Sequence, residues 1–204
     1  MQVTLIRHGK TAGNSELRYI GRTDEPLTGE GIAQVEAAGA DSNVQTVYVS
    51  PLQRTRQTAQ LLFPNARQQV VDDLREMDFG DFEGRTADEM VADRVYRAWV
   101  DGNCEGPCPN GESIESFCRR VGAAFEEAVR MAVGAGENIL YLTAHGGTLM
   151  AIMSRFVKEP NSYYDWYVKN CCGWQGELDE AQWPDRLRLT RYSSFERLFH
   201  EDDV

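Results

Sequence analysis

The stretch Val3-Thr4-Leu5-Ile6-Arg7-His8-Gly9 decides the fold. A short β-branched and apolar run over residues 3–6 breaks abruptly at an arginine, a histidine and a glycine. That is the pattern of a buried strand feeding a loop, with its charged residues at the strand's carboxyl end. The pattern recurs twice. Residues 46–50 form an apolar run that breaks at Ser50-Pro51, with Arg54 close behind, and residues 138–143 form a third that ends in Ala144-His145-Gly146-Gly147.

Helical periodicity fills the intervals. Thr28 is placed to N-cap a helix to about residue 40, with Ile32, Val35, Ala38 and Gly39 at helical spacing. Pro51 suits the first turn of a helix running to about Leu62. Val70 and Val71 suggest a further strand. After Asn110-Gly111-Glu112-Ser113, the residues Ile114, Phe117, Val121, Ala124, Phe125, Ala128 and Val129 keep one apolar face to about Val133, and Gly134 or Gly136 stops the helix. A helix over 148–157 and late strands over 171–177 and 187–192 complete the chain. Strands alternating with helices predict an α/β three-layer sandwich, a mostly parallel central sheet with helices on both faces. The least regular segment, residues 76–111, reads as a small cap insertion within a single domain of residues 1–204.

Composition bounds the function. The chain has 204 residues, and its formal net charge of −11 argues against a broad basic surface for nucleic acid or anionic lipid. Any anion site must be local. No apolar stretch approaches the roughly 20 residues needed to cross a bilayer, and the first residues lack the features of a signal peptide, so a cytoplasmic protein is expected. Five cysteines, an odd number, fit a reduced compartment better than a disulfide framework. Cys104, Cys108 and Cys118 have no histidine nearby, which favours unpaired thiols over zinc, and no metal or other cofactor is expected. A homodimer is left open.

Ligands of open α/β sheets bind beyond the carboxyl ends of the strands. Three strands here end in residues suited to phosphate. Arginine binds phosphate oxygens through a planar fork, neutral histidine is a nucleophile, and Gly146 and Gly147 open a helix whose N–H groups point at an anion. Chemistry alone therefore points to a phosphoryl site built from two arginines and two histidines.

Four segments carry a resemblance. Residues 5–14 (LIRHGKTAGN), 50–59 (SPLQRTRQTA), 74–84 (LREMDFGDFEG) and 143–147 (TAHGG) resemble, in order, the motifs of the histidine phosphatase (phosphoglycerate mutase-like) superfamily. The resemblance implies that His8 takes the phosphoryl group, that Arg7, Arg54 and His145 hold its oxygens, and that Asn14 also faces the phosphate. It implies that Glu76 protonates the leaving alcohol, for which burial or the arriving phosphate must raise its pKa. Asp78, Asp81 and Glu83 compete for that role, and Glu83 is expected in structural contacts. Glu112 is read equally as a cap of the long helix or a substrate contact. Arg56 defaults to an ordinary helical arginine, and His200, in an acidic tail, to a solvated side chain.

Within the family, residues 18–31 (RYIGRTDEPLTGEG), which include Arg18 and Gly21 as substrate contacts, and the run Cys171-Cys172-Gly173-Trp174 look like the α-ribazole phosphatase branch. Only a short stretch separates Glu76 from Glu112, without the longer insertion of phosphoglycerate mutases. The expected substrate is a small phosphomonoester with a flat, partly apolar body that Tyr19, Phe79, Phe82 or Trp99 could cover by stacking. A broad-specificity phosphomonoesterase is the alternative, and a phosphoglycerate mutase the third reading.

Overall fold

The computed structural model describes residues 1–159, 161–179, 187–196 and 198. His200 lies outside them. In chain order the elements are β1 (Gln2–Arg7), α1 (Ala12–Ser15), α2 (Gly29–Ala37), β2 (Thr46–Val49), α3 (Gln53–Leu62), β3 (Arg67–Val70), α4 (Arg94–Asp101), α5 (Ile114–Gly134), β4 (Ile139–Ala144), α6 (Gly146–Phe156), β5 (Gly173–Leu178) and β6 (Leu189–Phe195), with short 3-10 turns between some of them. The strands form one sheet in the order β3-β2-β4-β1-β5-β6. Pairings β2–β3, β2–β4 and β1–β4 are parallel, while β1–β5 and β5–β6 are antiparallel.

Strand period separates two cores. Val3 and Leu5 of β1, Tyr48 of β2 and Leu140 and Leu142 of β4 point into one cluster, which α5 and α6 cover. Ile6, Val47 and Val49 point the other way, into a cluster with Val35 of α2 and Ala59 and Leu62 of α3. Helices therefore lie on both faces, which makes the three layers. On α5 the apolar stripe Phe117, Val121, Phe125, Ala128, Val129 and Ala132 is at most 1% exposed. A Phe125→Ala change there removes a ring at a cost of about 3–5 kcal/mol.

Local chemistry sets the boundaries. Thr28 caps α2 by accepting Gly31 N–H, as its position predicts. Ser113, not Glu112, caps α5, with Ser116 completing a reciprocal pair of bonds. Helix α3 starts at Gln53 rather than at Pro51, with Leu52 in extended conformation ahead of it. No helix among the described residues is long and apolar enough to cross a membrane. Segment 76–111 contributes Phe82, Met90, Tyr96, Trp99 and Cys108 to the α5/α6 core. Its helix α4 is held by Asp93, whose carboxylate accepts Val95 and Tyr96 N–H groups.

Candidate active site

The carboxyl ends of β1 and β4, adjacent and parallel, bring His8 and His145 together with ring centroids 5.2 Å apart. Both rings are buried. His8 Nδ1 lies 2.6 Å from Gly9 O. A carbonyl only accepts, so Nδ1 carries the proton and Nε2 keeps its lone pair. Arg54 Nε donates to His145 Nδ1 at 3.1 Å, and because a guanidinium only donates, the His145 proton sits on Nε2, which donates to Ser50 Oγ at 2.7 Å. Burial first, then the Arg54 guanidinium and other positive neighbours, hold both histidines well below the usual value of 6.5. Both rings are therefore neutral.

The two arginines differ. Arg7 Nη1 donates to Val168 O at 2.7 Å and its guanidinium lies 5.3 Å from the Tyr167 ring centroid, yet its buried Nε has no partner among the described residues. Arg54 is 1% exposed and donates to Thr23 O, Gly21 O and His145. Those bonds leave about two of a guanidinium's five N–H groups unassigned, and Arg54 is not among the residues that line the cavity.

Glu76 reaches the amino end of α6, where its Oε2 accepts Gly147 N–H at 2.8 Å and its Oε1 accepts Met77 N–H at 3.0 Å. A Cβ at residue 147 would stand 2.3 Å from Glu76 Oε1, so only glycine leaves the carboxyl its seat. Burial raises the Glu76 pKa, opposed by those two N–H bonds and by Arg54 and Arg7. The Gly147 N–H, expected to face an anion, is thus given to Glu76. Asn14 Oδ1 accepts from Thr11 N–H at 3.2 Å, closing the cap of the four-residue α1.

Arg7, His8, Asn14, Glu76, Gly146 and Gly147 line one end of a cavity of about 360 Å³. Its other walls are Tyr19, Phe79 and Trp99, as the sequence suggests, together with Tyr163, Tyr164 and Tyr167, which the sequence reading missed. Arg18 stands on the same wall, engaged with Glu16, Glu89 and Gly84 O.

Several expectations are corrected. Phe82 does not cover the cavity: it is 1% exposed and packs edge-on against Tyr96. Glu112 neither caps α5 nor lines the cavity, because Arg120 holds its carboxylate at 2.7 Å and Asp78 N–H donates to it. Gly21 is not on the lining; a Cβ there would meet Met77 O, so it lets the first loop lie against the main chain at Met77. His145 has both ring nitrogens engaged and backs Arg54 instead of presenting an N–H to the cavity. Exposed Arg56 is off the lining, in keeping with its default reading as an ordinary helical arginine, and Arg22, paired with Asp78, and Lys10, paired with Glu30, are off it too. Glu83 makes the expected structural contacts, accepting from Gly21 N, Thr23 N and Thr23 Oγ1.

The family model described as the histidine phosphatase superfamily, branch 1, matches residues 3–186. The chain belongs to this superfamily. Among its relatives is "Probable phosphoglycerate mutase GpmB" of Salmonella arizonae, 30% identical over 191 residues that cover 90% of this chain and 87% of that protein. Similar solved structures include the alpha-ribazole phosphatase from Shigella flexneri, with a TM-score of 0.77, 26% identity and coverage of 93% of this chain and 95% of that one. Another is a phosphoglycerate mutase from Thermus thermophilus, with a TM-score of 0.66, 29% identity and coverage of 93% and 99%. Superfamily membership suggests phosphatase or mutase activity, and the cavity has one polar end and aromatic far walls.

Proposed function

We propose that this superfamily member hydrolyses small phosphomonoesters through a phosphohistidine on His8. One observation carries the reading: a neutral, buried imidazole with Nδ1–H tied to Gly9 O lies in the same cavity end as the unpartnered Arg7 Nε and the protonatable Glu76. His8 Nε2 attacks phosphorus, the ester P–O bond breaks, and Glu76 passes its proton to the departing alkoxide. Water then attacks the phosphohistidine, giving its proton to the Glu76 carboxylate, and phosphate leaves with His8 restored. Arg7 and the spare N–H groups of Arg54 balance the equatorial oxygens, Asn14 and Gly146 border them, and His145 steadies Arg54 from behind. In this reading no metal takes part.

For the substrate, α-ribazole 5′-phosphate, a flat base on a ribose, suits the walls of Tyr19, Phe79, Trp99 and Tyr164. Arg18, the one other cation on the described lining, is already paired with two glutamates, so a carboxylate or second phosphate would lack a free partner. The mutase name carried by relatives at 30% identity supports 3-phosphoglycerate as the second reading. Side-by-side kinetics decide: a higher kcat/KM for α-ribazole 5′-phosphate, with negligible mutase turnover in the presence of 2,3-bisphosphoglycerate, is expected. Preference for 3-phosphoglycerate would replace the substrate and keep the chemistry. Even, low selectivity across a panel would make it a broad phosphomonoesterase.

A further inference from the structure

Asn170 lies outside all four motif segments and off the cavity lining, yet its side chain touches the nucleophile's loop at three points. The main chain that follows it runs against Arg7 and His8: Cys171 N–H donates to Arg7 O at 3.1 Å and to His8 O at 3.3 Å, and Arg7 N–H donates to Cys172 O at 2.9 Å. Asn170 Nδ2 lies 3.0 Å from His8 O, 3.4 Å from Gly9 O and 3.1 Å from Asn14 Oδ1. Two of these acceptors are main-chain carbonyls, which fixes the orientation of the amide, nitrogen inward. Gly9 O is the same carbonyl that receives His8 Nδ1–H. Asn14 Oδ1 is pinned between Thr11 N–H and Asn170, so what Asn14 offers the cavity is its own N–H2 group.

We infer that Asn170 is a positioning residue that sets both the carbonyl holding His8 in its attacking tautomer and the amide by which Asn14 meets phosphoryl oxygens. The inference rests on the phosphatase reading and extends it to a residue that never touches substrate. Only a short side chain with two N–H hydrogens meets these acceptors. Aspartate would turn lone pairs toward three oxygens, and serine supplies one hydrogen for all three.

The test is a double-mutant cycle read by equilibrium binding of inorganic phosphate to the wild type, Asn14→Ala, Asn170→Ala and the double variant. Cys171 N–H still satisfies His8 O in Asn170→Ala, and its melting temperature is measured alongside. Asn170→Ala should weaken phosphate about tenfold, the scale of one hydrogen bond to a charged group, and the double variant should bind no more than about twofold worse than Asn14→Ala. The kcat/KM for p-nitrophenyl phosphate should fall in parallel. Additive losses across the cycle, or wild-type affinity in a folded Asn170→Ala, would overturn the role. Failure of wild-type His8 to take a phosphoryl label would instead remove the phosphatase reading, while the phosphate cycle still decides for Asn170.

Discussion

The two ends of the cavity are built differently. At the polar end side chains are held by directional bonds to the main chain: Arg7 to Val168 O, His8 to Gly9 O, Glu76 to Gly147 N–H and, off the lining, Arg54 to Gly21 O and Thr23 O. At the far end, aromatic rings meet one another through edge contacts, as Tyr19 does with Phe79 at 5.2 Å and with Trp99 at 6.0 Å, alongside single hydrogen bonds from Trp99 Nε1 to Gly106 O, from Tyr163 OH to Gly147 O and between the Tyr19 and Tyr96 hydroxyls. Directional bonds demand particular residues at particular strand ends, whereas ring packing accepts many solutions of similar volume. In the proposed reaction the polar end would hold the phosphoryl group and the far end the leaving group.

The sharpest way to break this division is His8→Ala. It should abolish turnover and also remove an acid-labile, alkali-stable phosphoryl label; a label retained in the variant would move the nucleophile elsewhere. Glu76→Gln comes next, with a loss of roughly 10²–10⁴-fold on alkyl phosphates and much less on p-nitrophenyl phosphate, whose leaving group needs no proton. In the wild type His8 must be neutral, so activity rises with pH through a value below 6.5, and it falls as Glu76 loses its proton at a pKa raised above the usual 4.5. That alkaline limb should vanish in the glutamine variant. Equal losses on both substrates would take the acid role from Glu76.

Smaller effects belong to the far end. Tyr164 is 49% exposed and lines the cavity, so Tyr164→Ala should leave the fold intact. Loss of one aromatic contact, about 0.5–1.5 kcal/mol, corresponds to a fall of roughly 2- to 13-fold in kcat/KM for a substrate with an aromatic leaving group. Phosphate affinity should not change. A matching loss of phosphate binding would show that the two ends are not separable. Smallest of all is chelation: activity should survive exhaustive treatment with a chelator, and restoration of lost activity by Mg²⁺ or Zn²⁺ would rewrite the mechanism.

The same contrast governs what the amino-acid sequence discloses. Charged residues closing an apolar run announce β1, β2 and β4 and, with them, Arg7, His8, Arg54 and His145. Glu76 is readable from its motif, although its seat depends on Gly147, which is distant in the chain. The aromatic wall is harder. Trp99 sits on α4, a helix of eight residues whose buried side chains are only Tyr96 and Trp99, too few to show a period; Asp93 as an N-cap was the available signal. Tyr163, Tyr164 and Tyr167 come from a turn and a loop with no periodic pattern, and Asn170 acquires its partners only through the pairing of Cys171 and Cys172 with β1. Tertiary neighbours of that kind leave no local trace.

The buried Arg7 Nε, which meets no protein acceptor among the described residues, links the proposed phosphate site to stability. A donor left without an acceptor in the interior costs about 1–3 kcal/mol, and a bound phosphoryl oxygen removes that cost. On the proposed reading the anion would also support the fold, and conformational stability should climb with free phosphate as RT ln(1 + [L]/Kd).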